Sequence, residues 1–210
     1  MLSVPIMALL DPRLAPVPQL LVVIPLALAM AWRERRDLDL TGVGWIIAGR
    51  VPGAAIGVAL LVVATQTTLD VAIAVITLVG VTIIASGYHV PQTRATKFGA
   101  GALSGTTGLV ASIGGPPLAL LYSREEGPTV RATLASVFTI GLAISVTARA
   151  AAGLITRDDV VVALIIFPAL VAGYLVSGTL KDRIRPHTLR RWILGLSTVA
   201  ALALLVRAFA

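Results

Sequence analysis

Cysteine is absent from the 210 residues, which excludes disulfides, thiolate metal sites and thiol catalysis. Charge is scarce as well. Lys and Arg number 17 and Asp and Glu 10, 13% of a chain that is 57% hydrophobic, too little to coat a soluble domain of this length. Arg50, Arg149 and Arg207 are the only charged residues inside long apolar stretches, and every carboxylate lies in a connector or at a segment edge. A proton relay built on membrane carboxylates is therefore not expected. Neither a His-Glu-x-x-His motif nor a phosphate-binding loop occurs, so a metal-dependent hydrolase and a nucleotide-driven pump are not indicated for this chain. A soluble enzyme, a disordered tail and a nucleic-acid binder are excluded, despite a net charge of +7 and a pI near 11.0. Between membrane spans, basic residues set orientation. The chain reads as an all-α integral membrane protein whose partners are the lipid bilayer and a small solute, with no cofactor and no metal. A homo-oligomer is compatible with this reading.

Seven apolar segments are long enough to cross hydrocarbon, which takes about twenty helical residues. They span roughly 14–32, 43–64, 71–90, 98–122, 132–153, 160–180 and 192–209. If all seven cross, the basic connector residues divide eight against six, which is no bias. If segment 98–122 enters and returns to its own side, they divide twelve against two, as the positive-inside rule prefers. Gly99, Gly101, Gly105, Gly108, Gly114 and Gly115 with Pro116-Pro117 would permit such a return. The expected topology is six crossing helices plus one broken or re-entrant segment, with connectors 33–39, 91–97, 123–131 and 181–191 cytoplasmic. Irregular backbone at membrane depth is tolerated where it is buried in protein or lines a wet cavity, so the break marks a candidate site.

An internal repeat is expected from spacing. Arg50-Val51-Pro52-Gly53-Ala54-Ala55-Ile56-Gly57 and Ile166-Phe167-Pro168-Ala169-Leu170-Val171-Ala172-Gly173 share Pro five residues before Gly, 116 positions apart. Val4-Pro5-Ile6-Met7-Ala8-Leu9-Leu10 lies beside Pro116-Pro117-Leu118-Ala119-Leu120-Leu121 at an offset of 112. Residues 1–90 and 98–210 then form two repeats of a single membrane domain, inverted because each contains an odd number of crossings, as in many secondary transporters. The counterpart of Phe98–Ser112 is missing before Met1. The first repeat is expected to be incomplete at its N-terminus, through a misplaced start or a fragment.

The run Gly99-Ala100-Gly101-Ala102-Leu103-Ser104-Gly105-Thr106-Thr107-Gly108-Leu109-Val110-Ala111-Ser112-Ile113-Gly114-Gly115-Pro116-Pro117 resembles the glycine-rich signature of the TauE/SafE sulfite exporter family. Met1-Leu2-Ser3-Val4-Pro5 looks like the tail of a first copy. The resemblance implies a multi-pass inner-membrane permease for small anions, typically sulfite, sulfonates or related sulfur compounds, and not an enzyme. The departure is the missing first motif, which keeps a non-transporting remnant as an alternative. A channel-like pathway would need a continuous polar file, and no such stripe is present.

The expected anion site is the break itself, Gly114, Gly115, Pro116 and Pro117, where a short helix begins and its free N–H groups attract anions. Ser104, Thr106, Thr107 and Ser112 precede it and supply hydroxyl donors. The alternative is that the glycines and hydroxyls serve helix packing. Arg50 lies about 10 Å into its helix and either faces an anion path or snorkels to the interface. Arg149 reads as snorkelling and Arg207 as a terminal anchor. His89 reads as a solvated interfacial residue, with proton relay as the other role.

Overall fold

The computed structural model describes residues 3–11, 14, 17–34, 42–122, 128–180 and 186–209. Among them the chain forms α1 (Ser3–Leu10), α2 (Val17–Glu34), α3 (Val43–Val63), α4 (Gln66–Ser86), α5 (Arg94–Ala111), α6 (Gly115–Leu121), α7 (Pro128–Ala151), α8 (Arg157–Leu180) and α9 (Pro186–Phe209), with no strand. By length and composition, α3, α4 and the stretches 132–151 and 191–209 are sufficient to cross a membrane. Their outward faces carry large apolar side chains such as Val63, Val79, Ile140 and Val206, as lipid contact requires. The chain is an all-α membrane protein. Connectors 33–39, 123–131 and 181–191 lie partly outside the described residues.

Segment 98–122 is broken. Thr93 caps α5 in a reciprocal box with Thr96, satisfying free N–H groups at the helix start. The helix ends where Ser112 turns left-handed, φ 53°. Pro116 cannot continue α5, because its ring would clash with the carbonyl four residues back. In the first turn of a new helix, α6, its missing N–H costs nothing. The chain reverses across Ser112–Gly114, so that Gly114 lies against Ser104 and Gly108. The end of α6 returns to the segment before α5: Val90 N–H donates to Leu120 O at 3.3 Å and Gln92 Nε2 to Leu121 O at 3.2 Å. Together α5 and α6 form a hairpin whose two ends lie on one side.

α3 and α5 run parallel with their backbones in contact. A Cβ on Gly49 would fall on Phe98 O, one on Gly53 on Ala102 O, and one on Gly101 on Ile46 O. These glycines let two helices approach where larger residues would hold them apart, the small-xxx-small solution to packing in lipid. Thr106 Oγ1 adds a bond across the seam, to Gly53 O at 2.9 Å.

The remaining packing falls into a pattern. α2 packs on α7 and α4 on α9; α3 packs on α7 while α2 packs on α8; α1 packs on α9 while α4 packs on α6. One apolar cluster joins Val4, Ala8, Ile73, Ala111, Ile113 and Leu204; a second joins Val43, Ile46, Ala100, Leu118, Leu121 and Val137. Each short helix is thus buried among long ones, α1 in the first cluster and α6 in the second. In contrast, α8 buries only Ala163 among its described side chains.

Candidate functional site

A cavity of about 230 Å³ lies where α1, α2, α3, α7 and the α5–α6 break converge. Its polar lining comes from Ser3, Gln19, Arg50, Ser112 and Ser145, with Gly108 and Gly114 supplying backbone. Arg50 dominates it chemically. The residue is 3% exposed, and Nη1 donates to Ser104 Oγ at 2.9 Å. Ser104 in turn donates to Gly114 O at 2.5 Å, tying the cation on α3 through α5 to the start of α6. Arg50 Nε is buried with no hydrogen-bond partner among the described residues, and no ion pair is found for Arg50 among them. A buried guanidinium is costly without counter-charge. Its surroundings fit it closely: a Cβ on Gly141 of α7 would overlap Cζ, Nε and Nη2.

The structure divides the sequence-derived candidates. Arg50, Ser104, Ser112 and Gly114 come together at the cavity. Thr106 is used across the helix seam, and Thr107 Oγ1 donates to Leu103 O at 2.9 Å. Thr107, Pro116 and Pro117 line a separate apolar groove beside Val79 and Ile83. Gly115 does not line the cavity, and a Cβ there would meet open space; Gly114 makes the close approach. His89 lies away from the cavity, its ring 6.2 Å from that of Tyr88.

Three sequence readings are corrected. Arg149 does not snorkel. It is 1% exposed and its Nη2 donates to Leu109 O, one of the free carbonyls at the end of α5. Arg207 is more than a terminal anchor: it pairs with Asp70 at 2.6 Å and donates to Ala8 O and Leu9 O. Asp70 is 4% exposed, so one carboxylate is buried after all. Asp70 stands at a segment edge in sequence, yet α9 and α1 pack against α4 there.

Sequence reasoning missed Ser3, Gln19, Ser145 and Gly141. Gln19 and Ser145 carried a signal, as polar residues within apolar stretches. Gln19 Nε2 donates to Ser3 O at 3.0 Å and Ser3 Oγ to Gln19 Oε1 at 3.2 Å, so α2 holds the start of α1 at the cavity wall. Gly141 carried none, because its role is the space it leaves. Among the described residues no cluster of three His, Cys, Asp or Glu side chains is arranged to hold a metal ion.

Fold and site together define a helical membrane protein with a cavity lined by a buried cation beside a broken helical segment. The sequence profile described as Sulfite exporter TauE/SafE matches residues 1–204, and the chain belongs to that family of membrane transport proteins. No curated protein and no solved structure gives a match.

Proposed function

We propose that the protein is a secondary transporter of the cytoplasmic membrane that binds a small anion such as sulfite or an organosulfonate against Arg50. The observation that carries this reading is the buried Arg50 guanidinium in a cavity wall, with Nε unpartnered and no carboxylate against it among the described residues. An oxyanion there supplies the missing counter-charge, and the paired N–H groups of a guanidinium suit its oxygens. Ser112 and Ser145 line the same volume with hydroxyl groups, and the Ser3 hydroxyl lies beside them, bonded to Gln19.

The packing pattern supports two inverted repeats. Under the correspondence α1 with α6, α2 with α7, α3 with α8 and α4 with α9, the pairs α3–α7 and α2–α8 exchange, as do α1–α9 and α4–α6. Residues 1–90 and 98–210 are then the two repeats, and the start of α1 and the Gly114 cap of α6 both line the cavity. Rocking of the halves around this site would expose it to each side in turn. The hairpin of α5 and α6 supports re-entry from the side of the basic connectors, which we place in the cytoplasm.

The test is flux of labelled sulfite into proteoliposomes holding the purified chain. Saturable flux that falls in Arg50→Gln at normal insertion is the expected result. Flux equal to that of empty vesicles, or an Arg50→Gln variant with unchanged affinity, would remove the reading.

A further inference from the structure

The guanidinium of Arg207, near the end of α9, fastens three elements. Nη1 donates to Ala8 O at 2.6 Å and Leu9 O at 3.2 Å in the last turn of α1, and Nη2 pairs with Asp70 Oδ2 of α4 at 2.6 Å. Asp70 also accepts from Gln66 Nε2 at 3.0 Å, which holds the carboxylate in place. The two carbonyls are ones that a helix end leaves free, and a cation there also complements the helix dipole.

α1 needs such fastening. It has eight residues, roughly 12 Å of helix, too short to be stable by its own hydrogen bonds. Apolar contact alone fixes it weakly, because lipid tails are as apolar as its neighbours. Directional bonds hold it at both ends, Gln19 at Ser3 and Arg207 at Ala8 and Leu9. The cavity lies at the first of these ends, where Ser3 and Val4 enter its wall. At the matching end of α6, the Val90 N–H donates to Leu120 O and the Gln92 amide to Leu121 O.

We infer that Arg207 is a positioning residue of the cavity: with Asp70 as counter-charge, it holds α1 in the register that places Ser3 and Val4 in the wall. Its consequence for transport rests on the anion-site reading above, whereas the placement of α1 does not.

Two readouts separate these. The first is the rate at which a water-soluble maleimide labels a Ser3→Cys site in this cysteine-free chain, with position 207 native or substituted. The second is sulfite affinity and maximal flux in proteoliposomes, with Ser3 native. Arg207→Gln is expected to change the labelling rate several-fold and to weaken sulfite affinity by about tenfold, with a smaller change in maximal flux. Arg207→Lys, which keeps the charge and a donor, is expected to recover most of both. Asp70→Asn, which leaves the carbonyl bonds in place, is expected to fall between. A folded Arg207→Gln with native labelling overturns the inference. If Arg207→Gln is not recovered folded, native labelling in both Asp70→Asn and Arg207→Lys overturns it. Altered labelling in a protein whose native form neither binds nor carries sulfite would uphold the placement of α1 and remove the anion site instead.

Discussion

Gly141 on α7 faces the guanidinium of Arg50 on α3 so closely that one added methyl group would overlap Cζ. α7 therefore forms the back of the compartment that seats the cation, and only glycine leaves room for it. Gly141→Ala is expected to displace Arg50 and lower sulfite flux at least tenfold. Forcing a methyl group into a filled site costs about 1–3 kcal/mol, which an unfolding titration in micelles would register. Gly173→Ala is the control, since a Cβ there meets nothing within 4 Å. Equal behaviour of the two variants would refute the packing argument.

Arg50 itself can be separated into charge and shape. Charged hydrogen bonds contribute about 1.5–3 kcal/mol, so Arg50→Gln should weaken sulfite affinity roughly ten- to hundredfold. Arg50→Lys keeps the charge but loses the planar fork and should fall between. Titration calorimetry on purified protein checks both.

The two glycines at the break are not equivalent. A Cβ on Gly114 would lie 3.0 Å from both Ser104 O and Ser104 Oγ, whereas one on Gly115 meets open space. Gly114→Ala should disturb the Ser104 bond that supports Arg50 and reduce flux. Gly115→Ala should transport nearly as the native protein does. The reverse ranking would place the working surface of the break on its other face.

Within α5, Gly101 and Gly99 give an equally sharp contrast. A methyl group on Gly101 would fall on Ile46 O, while one on Gly99 touches nothing within 4 Å. Gly101→Ala is expected to destabilise the fold by at least about 1–3 kcal/mol, measured as a lower unfolding midpoint in detergent. Gly99→Ala should be neutral or slightly stabilising, because alanine is the better helix former.

Much of the architecture was legible because the bilayer imposes it. Helix lengths follow hydrocarbon thickness, and the break at Ser112–Gly114 follows from Gly114-Gly115-Pro116-Pro117, which cannot continue a helix. Arg50 was legible as a cation too deep in an apolar run to be incidental. The roles of Thr106 and Thr107 were not, since hydroxyls one residue apart point in different directions on a helix. One bonds across the seam and the other lies beside an apolar groove. Arg149 looked able to snorkel because sequence distance from a helix end says nothing about what covers that end.

The sequence alone determined a cysteine-free, helical membrane protein with a broken glycine-rich segment and three arginines in apolar surroundings. Those properties depend on composition and local spacing, where the cost of bare backbone and charge in hydrocarbon leaves few solutions. Tertiary structure decided which partners each arginine takes: Ser104 for Arg50, Leu109 for Arg149, and Asp70 with the end of α1 for Arg207. Asp70 and Arg207 stand 137 residues apart, and local chemistry carries no information about such a pairing. It arises only when α4, α9 and α1 pack together and bury Asp70 against the guanidinium.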